Sequence, residues 1–342
     1  GGSRGGMVMI GPGAYMSTSG GGGTNLVKEV GKEIEGDLRI DTIERILALS
    51  DPGYGDEYNP SLRDPYESLV LDTWIEVLGA DEALQRCRGI CEEVSDTSKG
   101  LRRNAARTAA YLLARAGEHE QALKALEVAI CKLEAPAGTP RWYQTWYDNA
   151  GTLSHKDIRR LFPKDDSGFA DPVAWMQRAA DQLVTWTKEE RTRPGATFQA
   201  LAVATLRLHE AGEEVAALSL LKELEALAKD NVRDRLWVVD VAREIGAEDT
   251  AYGIEKTLLE DRQLNLERLG EVVRRMATRD GADAALAAGE SAAEITLDED
   301  LLAALAAVAT EAGKVDRAVH WEAVADEAAE AREALKPKKE SE

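Results

Sequence analysis

Ala109-Ala110-Tyr111-Leu112-Leu113-Ala114-Arg115-Ala116-Gly117-Glu118-His119-Glu120-Gln121-Ala122-Leu123 reads as the end of one helix, a stop, and the start of a second. Ala, Leu, Glu, Gln and Arg are strong helix formers, and a single glycine interrupts them. A glycine at such a point ends a helix in the left-handed conformation, where it carries no Cβ penalty. Similar stops fall at Gly79, Gly212, Gly246, Gly281 and Gly313, each after a run of helix formers and each soon followed by an alanine. The last four lie 34, 35 and 32 residues apart. A fixed period of that length means one unit of two antiparallel helices, copied and stacked. The expected fold class is all-α: a right-handed α-solenoid of about six stacked helical hairpins, with an irregular aromatic-rich centre and a Gly-rich N-terminal extension.

Composition divides the 342 residues further. Residues 1–37 hold twelve of the 29 glycines and are expected to form a flexible or partner-docking extension. In it Met7, Met9, Ile10, Tyr15 and Met16 are apolar anchors on a leash, suited to adding a strand to a partner or filling its groove. Residues 38–135 hold a short amphipathic helix at Leu38–Ser50, a turn-rich loop, and helix pairs at 67–78 with 82–94 and 101–116 with 120–133. Residues 136–197 break the rhythm, with half of the ten prolines and eight of the eighteen Phe, Tyr and Trp residues. There Asp171-Pro172 opens a helix running to about Lys188, with Asp171 as cap and Pro172 in the first turn. Residues 198–335 carry the regular array, paired as 197–211 with 214–229, 232–245 with 248–260, 264–279 with 282–294, and 298–312 with 315–335. Residues 336–342 are a charged tail.

The quoted hairpin resembles the tetratricopeptide repeat. Ala110 matches the small residue of the first helix, Gly117 and Glu118 the turn, and Ala122 and Ala129 the two small positions of the second helix. Leu126 takes the place of the bulky residue between them. The final pair is similar at Ala306, Gly313, Ala318 and Ala325. Small residues bring helix axes toward the lower end of the ~8–10 Å packing range. The chain departs from the pattern where the signature aromatic becomes His119, Glu214 or Val315, and where no proline closes a unit between Pro194 and Pro337. Gly79-Ala80-Asp81 and Gly281-Ala282-Asp283 share a shorter turn. The resemblance implies a concave groove, lined by the first helix of each pair, that takes a peptide or helix. Its candidate lining residues are Asn104, Arg107, Tyr111, Gln199, His209, Arg233, Asp240 and Arg243. Asn104 with Arg107 could hold a carboxylate through charge-assisted hydrogen bonds.

The formal net charge of −20 repels nucleic-acid phosphates and anionic lipid surfaces, so neither is an expected partner. Residues 201–342 hold 32 acidic and 18 basic side chains, so most of the excess is C-terminal. Solubility of an exposed array is the plain reading of that charge, and attraction of a basic protein or peptide partner the sharper one. No apolar run approaches the ~20 residues of a spanning helix, so direct membrane insertion is not expected. Three cysteines, Cys87, Cys91 and Cys131, are an odd and low count that argues for a reducing, cytoplasmic setting. A signal sequence already removed would leave no trace.

Chemistry-bearing motifs are sparse. Cys87 and Cys91 share a helix face, but no His or Cys pair completes a tetrahedral site, so no metal is expected. His209-Glu210-Ala211-Gly212-Glu213 begins like a zinc-protease helix and lacks the second His one turn later. Gly11-Pro12-Gly13 and Gly20–Gly23 have no following Lys-Ser or Lys-Thr and are not phosphate loops. No cofactor and no catalytic residue are expected. The cluster Trp142, Tyr143, Trp146 and Tyr147 places two Trp and two Tyr one helical turn apart, either as an irregular core or as an aromatic pocket. The expected function is a non-catalytic scaffold or adaptor for protein–protein interaction. The alternative is a structural subunit of a larger assembly, anchored by the N-terminal tail. A small-ligand binder or enzyme using the aromatic centre ranks third.

Overall fold

In the computed structural model all six punctuating glycines take positive φ, from 69° at Gly313 to 96° at Gly281. Their turns come in two kinds. At Gly117 the glycine N–H donates to the Ala114 carbonyl (3.0 Å) and the Glu118 N–H to the Leu113 carbonyl (2.9 Å). That pair of hydrogen bonds satisfies orphan carbonyls at the end of the helix, and Gly212, Gly246 and Gly313 repeat it. Gly79 and Gly281 are followed by helix at once, which is the shorter turn their shared sequence foreshadows. Arg262 and Glu190 stand in the same paired hydrogen bonds without a glycine, at φ of 58° and 57°.

The structure describes residues 7–11, 14–17, 71–92, 99–132, 150–164, 168–229, 231–263 and 268–335. Leu38–Ser50, the aromatic cluster Trp142, Tyr143, Trp146 and Tyr147, and the tail 336–342 lie outside them. The described chain is helical except for one antiparallel ribbon, β1 (Met7–Gly11) and β2 (Ala14–Ser17), in which Met9 pairs with Tyr15 and Val8 with Met16. All five tail anchors therefore sit in strand positions. The chain divides into two units, Gly1–Arg207 and Leu208–Glu342.

In the first unit the helices are α1 (71–78), α2 (Ala80–Glu92), α3 (Lys99–Arg115), α4 (His119–Ile130), α5 (His155–Leu161), α6 (Pro172–Lys188) and α7 (Pro194–Glu210), whose last turn enters the second unit. α3 packs on α2, α4, α5 and α6, and α4 also packs on α6. Alanines make the α3–α4 seam close: Ala106, Ala110, Ala122 and Ala129 are fully buried beside Leu126. α6 starts as its sequence predicts, with the Asp171 carboxylate accepting from Ala174 N–H at 3.0 Å. Its Trp175 is buried and donates its indole N–H to the Leu161 carbonyl (2.7 Å). The end of α4 is capped from a distance. Buried Arg103 donates to the carbonyls of Ala129 (2.9 Å) and Cys131 (3.4 Å), and Gly151 N–H to that of Ile130 (3.0 Å).

In the second unit α8 (Glu214–Leu227), α9 (Val232–Glu244), α10 (Glu248–Glu260), α11 (Leu269–Asp280), α12 (Ala282–Ala293), α13 (Glu299–Glu311) and α14 (Val315–Leu335) follow the predicted boundaries within a few residues. Each helix packs on its sequence neighbour, from α8·α9 through to α13·α14, and α10·α12 and α11·α13 also touch. Contacts therefore run to the nearest hairpin. Helices in neighbouring pairs of this kind are compatible with a helical-repeat fold.

Ion pairs carry the same period. Arg279 reaches back to Asp249 (2.8 Å), Lys314 to Asp283 (2.5 Å) and Arg332 to Glu299 (3.0 Å), while Arg262 reaches forward to Glu294 (2.9 Å). The acids of these pairs are exposed and water screens them, so they fix register more than they add stability. One pair set is different. Glu255 on α10 is fully buried, and its carboxylate accepts from Arg243 of α9 (2.6 Å) and Arg275 of α11 (2.8 Å). Burial pushes its pKa up, and the Arg275 and Arg243 guanidinium groups pull it back toward the ionised form.

Candidate functional site

α3 and α5 meet at a cleft lined by Arg107, Thr108, Tyr111, Asp157, Arg160 and Leu161. Ser154 fixes the start of α5 beside it. The Ser154 hydroxyl accepts from Asp157 N–H (3.2 Å), and the Asp157 carboxylate accepts from Ser154 N–H (2.9 Å), which closes a capping box at the start of α5. That box turns Asp157 toward α3, where its Oδ2 lies 4.0 Å from Arg107 Nε. Arg107 Nη1 donates to Asn104 Oδ1 at 2.5 Å, and Asn104 is itself buried. Arg107 Nε is buried and makes no hydrogen bond.

Arg160 enters from the other side. Its guanidinium lies 5.6 Å from the centre of the Tyr111 ring and donates to Asp72 on α1 (2.7 Å), which Lys156 also contacts. Tyr111 leans on Phe169, with ring centres 6.0 Å apart. The cleft thus gathers three cations and two carboxylates at its rim in a chain of net charge −20. It is a shallow notch of about 10 Å³ that opens to solvent, room for one water and far below the ~300–1,000 Å³ of metabolite pockets, so it offers a charged surface and not an enclosing site.

Of the eight predicted groove residues, Arg107 and Tyr111 come together here, with Asn104 behind them as the group that holds Arg107. Gln199 and His209 are half-buried on α7, and Arg233 is exposed at the start of α9. Asp240 pairs with Arg268, and Arg243 is committed to Glu255. Sequence reading missed Asp157 and Arg160 because α5 falls in the stretch taken as irregular. The signal was present as Ser154-His155-Lys156-Asp157, a capping box ahead of Ile158 and Leu161.

His119, the first residue of α4, is buried, its ring 5.9 Å from that of Trp175. Burial and the charge of Arg178 hold its pKa below the ordinary value, against a pull from Asp171. Cys87 and Cys131 are buried, and burial pushes the Cys131 thiol up to about 12, which leaves it unreactive. Among the described residues no group of three or more His, Cys, Asp and Glu is placed to hold a metal ion. No described helix is long and apolar enough to cross a membrane.

No known protein family matches the chain, and a comparison with curated proteins finds no match either.

Proposed function

We propose that the chain is a non-catalytic, tetratricopeptide-like scaffold or adaptor, its hairpins winding as a right-handed solenoid that offers a concave groove to a protein or peptide partner. The observation that carries this reading is the convergence of Arg107, Tyr111 and Arg160 on one small open cleft. Arg107 is held by Asn104 and Arg160 by Asp72, which fixes two guanidinium groups at the opening, where a carboxylate from a partner side chain or C-terminus can add charge-assisted hydrogen bonds. The test is co-purification from native extract with mass spectrometry, comparing the wild-type chain with Arg107→Gln. Gln can still donate to Asn104 and avoids a new charge beside Asp157. Loss of the main partner with little change in melting temperature is the expected result. A partner retained by the variant would remove the cleft from the mechanism.

A second reading, a structural subunit anchored by its N-terminal tail, is favoured by the β1–β2 ribbon. A two-stranded ribbon is marginal alone, and among the described residues nothing pairs with its outer edges, which could take a strand from a neighbour. Deleting residues 1–25 should then shift the elution volume of the assembly while leaving the cleft partner bound. An unchanged volume rejects it.

A further inference from the structure

The second-unit hairpins can be aligned on the buried alanines Ala251, Ala285 and Ala318, one on each of α10, α12 and α14. Relative to these, Tyr252, Glu255 and Leu259 on α10 correspond to Leu286, Gly289 and Ala293 on α12, and to Val319, Glu322 and Asp326 on α14. On α10 and α12 all six are buried. Arg275 of the following first helix meets Glu255, and a Cβ added to Gly289 would strike Leu305 of the following first helix. On α14 the three equivalents are exposed, and Val315 and Val319, 69% and 59% exposed, stand on the same face.

The acids near the helix starts tell the same story. Asp249 and Asp283, two residues before their alanines, pair with Arg279 and Lys314 of the next hairpin. Asp316 is their equivalent on α14, and among the described residues neither it nor Glu322 meets a cation. Val319 thus keeps the apolar character of Tyr252 and Leu286, Glu322 repeats the central carboxylate of Glu255 where α12 has Gly289, Asp326 replaces the apolar Leu259 and Ala293, and nothing described sits on the face.

We infer that the outer face of α14 is a docking surface for a basic amphipathic helix of a protein partner. That helix carries two cations one turn apart, as Arg275 and Arg279 do on α11, to meet Glu322 and Asp316, and apolar residues to cover Val315 and Val319. The charge complementarity of the existing seat on α10 fixes this choice. A second copy of the chain would bring further acid to an acidic face, because Glu322, Asp326 and Glu330 line it. The inference rests on the stacking of hairpins and does not require the Arg107 cleft to function.

The probe is a helix-stapled peptide of residues 268–280, which contains Arg275 and Arg279, titrated into the full chain by fluorescence anisotropy. Saturable binding is expected. It should weaken tenfold or more in the double variant Asp316→Arg/Glu322→Arg, and stay within twofold in Glu225→Arg/Glu244→Arg, which changes the net charge equally at other exposed acids. A peptide with Arg275→Glu and Arg279→Glu should regain binding to the first variant. Equal weakening in both variants, or no saturation, overturns the inference. So does self-association of the chain that Glu322→Arg abolishes, which would give the face to a second copy. Tighter peptide binding once residues 336–342 are removed would give it to the chain's own lysines and overturns it too.

Discussion

Single residues decide where these helices stop and what their ends tolerate. Glu190 and Arg262 hold the left-handed conformation that glycine holds at the other turns. A non-glycine residue there carries roughly 1–2 kcal/mol of strain, partly offset because glycine loses more entropy on folding. Glu190 is exposed, so Glu190→Gly should stabilise the protein by about 0.5–1 kcal/mol in urea unfolding. No gain, or a loss, would show that the turn is not strained. Arg262 is a poor site for the same change, because it also bonds Ser291 and Glu294. His119 gives a pH dependence. Its folded pKa lies below the ordinary value near 6.5, so the unfolded chain takes up the proton first. The stability it contributes is whole above that value and is lost as pH falls through it toward the folded pKa. Between about pH 7.5 and 5.5 the urea midpoint of wild type should therefore fall further than that of His119→Phe, which keeps an aromatic against Trp175. Equal slopes would mean that His119 titrates alike in both states.

At the scale of elements, seams are set by small residues and by a few buried polar groups. Gly151 crosses the end of α4 where an added Cβ would meet the Ala129 carbonyl and Arg103. Gly151→Ala should cost on the order of 2–3 kcal/mol by forcing that segment away from its cap. Calorimetry checks it, and a melting temperature within a degree of wild type would refute the close approach. Arg275 joins α11 to α10 through buried Glu255. Removing one partner of a buried pair typically costs 3–5 kcal/mol, and the remaining Arg243 should hold the loss in Arg275→Met to about 2–3 kcal/mol. A negligible change in unfolding free energy would mean that the packing there, and not the charge, joins the hairpins. Much at this scale was legible beforehand. The glycines, the Asp171 cap and the alanine positions each follow from backbone or packing rules that act within a few residues. The capping box at Ser154 and Asp157 was legible too and was overlooked amid prolines and aromatics.

Across the whole molecule, each hairpin of the second unit touches only its neighbours among the described helices, so its stability should be a sum of local terms. Leu305→Ala on α13 opens a cavity costing about 2–5 kcal/mol. Amide exchange should then quicken in α11 to α14 and much less in α8 and α9. A uniform rise from residue 208 to 335 would show one shared core instead. The acid excess has a matching division of labour. Part of it, at Asp249, Asp283, Glu294 and Glu299, is used internally to hold register. On α14, Asp316, Glu322, Asp326 and Glu330 are exposed.

By itself the sequence determined most of the helices, the glycine stops and the pairing of helices in the second unit, because helix propensity, capping and left-handed glycine are local effects written in a few adjacent residues. Tertiary structure alone decided which charges meet. Arg160 reaches Tyr111 and Asp72 only because α5 folds across α3, and Arg243 turns from a groove candidate into a clamp because Glu255 is buried beneath it. Ion pairs between residues about a repeat apart depend on how hairpins stack, and no spacing along the chain reveals which guanidinium is left with a hydrogen bond unmade.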